Sequence, residues 1–359
     1  MLFYPFKSRV SDFVSQLFNS KPDPETVFEA LSKLFALSLD LENKRSKLIQ
    51  FSEKDRFIIF SDQHKGAKNG SDDFVGAELN YLAALNFYLT DNFHFINLGD
   101  CEELWENGID KVWKYNQSSF EIEKAFLVRN AFTKVFGNHD LYWDNSPFAK
   151  FKLKEIYGSD FPVYEGVVLQ TFINESAVQL FLAHGHQGDA QSDGNWFSKF
   201  VVANIWGPIQ NVFKINPNTP STNNNAKTAH NKIMYEWAVQ NQKILITGHT
   251  HQPVFESLTH LERLYLKLEI AQNLHLVDEI ESIQSQIKTR KQKGDSISIS
   301  DNLQPNYFNT GCCCFSDGDI TGIEIADGKM RLVRWGMLKE LPNQREVMEE
   351  CSLESFILN

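Results

Sequence analysis

Short apolar runs that stop abruptly in polar clusters recur along the chain from residue 56 onward. "RFIIF" stops at SDQH, "FHFINL" at GD, "FTKVF" at GNHD, "QLFLA" at HGHQGD and "KILIT" at GHTH. Runs this short and this rich in β-branched and aromatic residues predict buried strands. Between some of them lie segments such as "ELNYLAALNFYLT", which read as helices. Strands alternating with helices predict a layered α/β fold. Two hairpins add antiparallel edges: "VVLQTF-INES-AVQLFLA", and "ITGIEIADGKMRLVRW" with its Asp327-Gly328 turn signal.

Outside this block the pattern changes. Val10, Phe13, Val14, Leu17 and Phe18 make one apolar stripe, and after "KPDPE" the residues Val27, Leu31, Leu34 and Leu41 continue a second helical pattern. Residues 1–50 are therefore expected to form an N-terminal helical extension on a main domain spanning 51–340, with 341–359 as a C-terminal tail. Within that domain, 190–235 carry the aromatic "NWFSKFVVANIWGPIQNVF" and then the polar "NPNTPSTNNNAK", which suits a lid. A second insertion, 258–300, has helical spacing at Leu261, Leu264 and Leu268, then at Ile280, Ile283 and Ile287, before the basic "KTRKQKGDSISISD" linker. Its apolar helices, 258–290, are a candidate homo-oligomer surface.

Composition and charge narrow the classes. A chain of 359 residues with 42% apolar content and 29 Phe can bury a sizeable core. No apolar run reaches the roughly 18 residues that span a bilayer. The N-terminus also lacks the features of a signal peptide, so a soluble cytoplasmic protein is expected. The N-terminal stripe has too few Lys and Arg on its polar face to favour a membrane-surface helix, which leaves peripheral membrane contact as the minority alternative. A net charge of −11 disfavours stable nucleic-acid binding. It leaves room for a small phosphate-containing substrate, and clustered acids and histidines suit a bound cation.

The five cysteines are Cys101, Cys312, Cys313, Cys314 and Cys351. An odd count without a CxxC pair gives neither a disulfide framework nor a zinc-finger spacing. In "GCCCFS" only Cys312 and Cys314 could share a face of an extended segment. Small buried hydrophobes are the expected role for these thiols, ahead of a metal site.

"KVFGNHDLYW" poses the sharpest chemical question, since a turn tolerates Gly137-Asn138 but has no need of His139-Asp140. Five successive strand ends supply Asp62 and His64, then Asp100, then Asn138 and His139, then His184 or His186, then His249 and His251. Ligands gather at one sheet edge when several strands end there. Each cluster alone is weak, because Asp-x-His recurs by chance and GHTH could be only a turn. Five clusters, each after a β-like run, make a metal site the better reading. Imidazole and carboxylate donors suit Mn²⁺, Fe or Zn²⁺. Two such cations ~3.5–4 Å apart form the usual two-metal hydrolytic arrangement.

In this order D-x-H, G-D-x-x-E, G-N-H-D, H-G-H and G-H-x-H resemble the calcineurin-like metallophosphoesterases, over about Asp62 to His251. The resemblance implies a four-layer α-β-β-α sandwich with two divalent ions, Mn²⁺ foremost, at the strand ends. It implies that Asp62, His64 and His251 bind the first ion, that Asp100 bridges, and that Asn138, His184 and His249 bind the second. His186 would instead back the ligands or touch substrate. A metal-bridging hydroxide would attack phosphorus, with His139 as the general acid that protonates the leaving oxygen. Gly137 would let the strand turn sharply. Asp140 would either orient the His139 imidazole or cap the turn.

Substrate class is read from the second motif. "GDCEELWENG" lacks the Asp-Arg-Gly that protein phosphatases carry, and is similar to the UDP-2,3-diacylglucosamine pyrophosphatases of lipid A synthesis. That group has Arg where this chain has His139. If the likeness extends to substrate, Trp196 and Trp206 would line an acyl pocket in the 190–235 insertion, and Lys227 or Lys232 would meet the diphosphate. Packing of these aromatics on the core is the plainer alternative. The expectation is hydrolysis of a phosphodiester or diphosphate, with a glycolipid or a nucleotide as the alternative substrates. A non-catalytic partner-binding scaffold, as in the retromer subunit of this fold, predicts eroded ligand positions, and none is eroded here.

Overall fold

The computed structural model describes residues 23–69, 72–188, 224–292 and 303–357. The Val10–Phe18 stripe, Trp196 and Trp206, and most of the basic linker lie outside them. The five apolar runs are strands: Phe57–Phe60, His94–Leu98, Phe132–Val135, Ser176–Ala183 and Ile244–Thr247. In the first, Phe57 and Ile59 enter the core between two sheets while Ile58 and Phe60 face helices. Burial on both faces is why these runs show no polar alternation.

One sheet holds, in spatial order, Leu341–Ser352, Lys329–Leu338, Ile320–Ala326, Phe57–Phe60, His94–Leu98, Phe132–Val135 and Val163–Tyr164. The other holds Ser46–Gln50, Gly166–Ile173, Ser176–Ala183, Ile244–Thr247, Tyr307–Asn309, Val254–Phe255 and Leu258–Thr259. Helices Glu78–Thr90, Gln117–Val128 and Ala149–Tyr157 cover the outer face of the first sheet. Pro24–Leu39 and Asn224–Gln240 cover the second. The layers therefore run helix, sheet, sheet, helix. Both expected hairpins form, and their turn residues Asn174, Glu175, Asp327 and Gly328 all have positive φ. That two-residue turn matches the twist of the strands it joins.

Two segments depart from the helical and tail readings. The helix begins where Asp23 caps the Thr26 amide at 3.1 Å and ends at Leu39, and Leu41 of the second helical pattern is 83% exposed. Asn43 Nδ2 donates to Leu37 O and Ser46 Oγ, turning the chain so that Ser46–Gln50 becomes an edge strand beside Gly166–Gln170. The expected tail is also largely strand, since Leu341–Ser352 pairs with Lys329–Leu338. It has no apolar period because ion pairs hold it: Arg331–Glu350 at 2.6 Å, Arg334–Glu346 at 2.7 Å and Arg345–Glu324 at 2.7 Å. After the strand Leu258–Thr259, the described part of this insertion holds two helices, His260–Asn273 and Val277–Gln292. Leu261, Leu264, Ala271, Ile283 and Ile287 pack on one another within it.

Beneath the loops of the first sheet lies a charge cluster with no exposure. Lys65 Nζ reaches Glu102 at 3.1 Å and Glu123 at 2.5 Å, and Lys134 Nζ reaches Glu102 at 2.9 Å. Trp143 Nε1 donates to Glu102, while Tyr81 and Tyr157 hydroxyls donate to Glu123. Removing one partner of a buried pair leaves an uncompensated charge, at a cost of about 3–5 kcal/mol. Lys134→Met is expected to lower the urea midpoint by a corresponding amount, with Glu102→Met added to it restoring part of the loss. An unchanged midpoint in the single variant would contradict this account.

Candidate metal centre

The polar clusters leave their strands through backbone that L-residues rarely adopt. Asp62, His64, Asp100, His249 and His251 all have positive φ, between 49° and 67°. Each such residue costs on the order of 1–3 kcal/mol and persists only where its surroundings hold it. Here the loops hold one another. Asp62 N donates to Gly99 O, His64 N to Asp100 O and Lys65 N to Cys101 O, each at 3.0 Å. His249 N donates to both carboxylate oxygens of Asp62, at 3.1 and 3.0 Å, which ties the two sheets together. His139 N donates to Asp100 Oδ1 at 2.8 Å. Gly137 does not have positive φ, so left-handed backbone is not what calls for a glycine here. Its need is for space: an added Cβ would strike Asp100 Oδ1 and come within 2.7 Å of His184 Cδ2.

These loops bring Asp62, His64, Asp100, His139, His184, His249 and His251 together. His251 Nε2 lies 3.2 Å from Asp62 Oδ1 and 3.1 Å from His64 Nε2. His64 Nε2 is 3.8 Å from Asp100 Oδ2, and His184 Nε2 is 3.1 Å from the same oxygen. Asp62, His64 and His251 form one group whose ligand atoms lie within 4.8 Å of one another, and Asp100, His184 and His249 form another. His184 Nδ1 donates to Leu98 O at 2.9 Å, which turns Nε2 toward the Asp100 carboxylate. Asn138 Oδ1, His184 Nε2 and His249 Nε2 are buried and make no hydrogen bond. Buried polar atoms are nearly always hydrogen-bonded, so three such atoms on the strand-end loops fit a cation.

The charges agree. Burial alone would raise the Asp62 and Asp100 carboxyls. The imidazoles outweigh it, His184 and His251 at Asp62, His184 and His139 at Asp100, and hold both below the usual carboxylate range. Burial, with the neighbouring His230 and His184, pushes His249 well down, so it remains a neutral donor. Burial would lower His184 and His251, but Asp100 and Asp62 beside the first, and Cys312 and Asp62 beside the second, raise both to about 9, so a cation bound here would displace their protons. Carboxylate and imidazole donors suit Mn²⁺, Fe or Zn²⁺ and do not choose among them.

Several expectations change. Asp140 does not touch the His139 ring. Its oxygens accept from Gly137 N at 2.6 Å and Cys101 N at 2.9 Å, so it ties the two loops together. The partner of His139 Nδ1 is Glu103 at 2.6 Å, and the same oxygen lies 3.2 Å from His64 Nδ1. Trp105 stacks on His139 with ring centroids 3.9 Å apart, and its Nε1 donates to Asn138 O. Glu103 and Trp105 were visible in "GDCEELW" as part of a motif, without a role. The buried His186 ring lies beside those of His184 and Phe136, at 5.4 and 6.1 Å. Lys232 points away to solvent and faces Glu236 on its own helix, while Lys227 is half-buried. From that helix His230, which periodicity does not single out, reaches the Gly185 carbonyl at 2.7 Å and approaches the His249 ring.

The sequence profile of the calcineurin-like phosphoesterase family matches residues 55–253. No curated protein matches the chain. Similar solved structures include a predicted phosphoesterase from Streptococcus pneumoniae, at 14% identity over 84% of this chain and 99% of that one, with a TM-score of 0.31. Vacuolar protein sorting 29 from Cryptosporidium parvum has 14% identity over 84% and 100%, with a TM-score of 0.33. A dimetal phosphatase from Danio rerio has 9% identity over 83% and 99%, with a TM-score of 0.35. The family match, not these distant likenesses, carries the assignment.

Cations that bind only the folded chain stabilise it by about 2.7 kcal/mol at a hundredfold excess over Kd. Chelation is therefore expected to lower the melting temperature of the wild type. Gly137→Ala, which crowds Asp100 and His184, is expected to lose both bound metal and sensitivity to chelator while keeping its far-ultraviolet circular dichroism. Wild-type metal content in that variant, by elemental analysis, would refute the crowding argument.

Proposed function

We propose that this chain, which belongs to the calcineurin-like phosphoesterase family, hydrolyses a phosphodiester or a diphosphate with two divalent cations held at the strand-end cluster. The observation that carries this reading is the gathering of two carboxylates and four imidazoles around one space, with the partly exposed His139 at its edge. In this reading Asp62, His64 and His251 would hold one ion and Asn138, His184 and His249 the other, with Asp100 available to both. When bound, the pair supplies Lewis acidity toward the phosphoryl oxygens and an acidified water as nucleophile.

The rest of the chemistry belongs to the chain. Glu103 takes the Nδ1 side of His139, so Nε2 is the nitrogen that delivers a proton to the departing oxygen. Trp105 fixes the plane of the ring. Burial would raise Glu103, but the charges and hydrogen bonds of His139 and His64 outweigh it and hold the carboxyl at about 2. It is thus anionic across the neutral range and anchors the Nδ1 edge of the ring. Asp100 accepts the His139 amide and so holds the acid beside the residues that would bind the ions.

Trp105 also bears on substrate. It carries part of the likeness to the UDP-2,3-diacylglucosamine pyrophosphatases and stacks on His139, while the residues of the expected acyl pocket, Trp196 and Trp206, lie outside the described residues.

Metal-loaded protein is expected to hydrolyse bis(p-nitrophenyl) phosphate. Absence of turnover with Mn²⁺ bound would end the hydrolase reading. General acid catalysis contributes on the order of 10²–10⁴-fold. His139→Asn is expected to lose that much on a phenyl ester and much less on a p-nitrophenyl ester, whose leaving group needs little protonation. Equal losses on both substrates would remove His139 from the proton-transfer role.

A further inference from the structure

The imidazole of His251 has two occupied sides. Its Nε2 faces Asp62 and His64, while its Nδ1 lies 3.7 Å from Cys314 Sγ. Cys312 completes a second group: His251, Cys312 and Cys314 offer ligand atoms all within 4.8 Å of one another. The loop is built to present this pair. Gly311 has φ of 77°, and the amide of Cys313 donates to Ser61 O at 3.2 Å and Asp62 O at 3.1 Å. Cys313 is thereby turned into the helix-side core, which leaves Cys312 and Cys314 together beside the imidazole. Cys312 is buried and Cys314 is partly exposed, so the group has a route to solvent.

We propose that His251 Nδ1, Cys312 Sγ and Cys314 Sγ form an accessory zinc site directly outside the two-cation centre. Zinc bound tetrahedrally with Zn–S of about 2.3 Å and Zn–N of about 2.0–2.1 Å sets a sulfur and a nitrogen ligand about 3.6 Å apart. The 3.7 Å between Cys314 Sγ and His251 Nδ1 meets that requirement without rearrangement. Two sulfurs and one imidazole nitrogen favour Zn²⁺ over Mn²⁺, so the accessory site and an oxygen-and-nitrogen centre can hold different metals. Binding takes the protons from both thiols and from Nδ1 and releases them to solvent. Because one ring serves both sites, zinc here would adjust the donor strength of His251 toward the neighbouring ion.

The test uses the full-length protein saturated with Co²⁺ or Zn²⁺. Wild type is expected to show a thiolate-to-cobalt charge-transfer band and to bind one more zinc per chain than Cys312→Ser/Cys314→Ser. Cys314→Ser, altered at the partly exposed position, is expected to lose the band as well and serves if the double variant does not fold. No band in the wild type overturns the site, as does a band that survives Cys314→Ser. Failure of the two-cation reading looks different: Asp100→Asn would then leave metal content and turnover unchanged. The thiolate band should persist in Asp100→Asn whether or not that reading holds.

Discussion

The Asp62 carboxylate accepts the His249 amide from the opposite sheet, and the Asp100 carboxylate accepts the amide of His139. Both side chains are buried, and both are kept ionised by the imidazoles around them. Buried anions are tolerable only when fully partnered. That requirement gives a physical reason for five residues at positive φ in one place and for a glycine at 137. The strain in the loops, the junction between the sheets and the donor set for cations are therefore one arrangement.

The GDCEE loop divides its work by direction. Glu102 turns inward to Lys65 and Lys134, and Glu103 turns toward His64 and His139. Lys65 directly follows His64, so the buried charge cluster fixes the backbone from which one candidate ligand projects. Asp140 bonds the amides of Gly137 and Cys101 and keeps the two loops in register. The geometry at the rim thus depends on charges buried beneath it.

The strands that carry the clusters were legible because burial favours apolar residues on both faces, and each short run ends where its ligand residues begin. Ser46–Gln50 and Leu341–Ser352 were not legible as strands. They sit at sheet edges, and the second is held by Arg–Glu pairs across strands, which no apolar period reports. The alternation in "GCCCFS" correctly separated Cys313 from its neighbours, but His251, sixty residues earlier by rough count, was not visible as the group they face. Lys232, a candidate diphosphate contact on sequence grounds, lies exposed beside Glu236 on its own helix.

By itself the sequence determined the layered α/β class, the strand ends that carry chemistry and the residue types available to hold cations, because these follow from local composition and periodicity. Only the tertiary structure decided that Glu103 rather than Asp140 meets His139, that Gly137 is needed for space, and that Cys312 and Cys314 meet His251. Those pairings join loops from different strands and two sheets. Their distances depend on strand order and on backbone held at positive φ by neighbouring loops, and neither is written in any one segment of the chain.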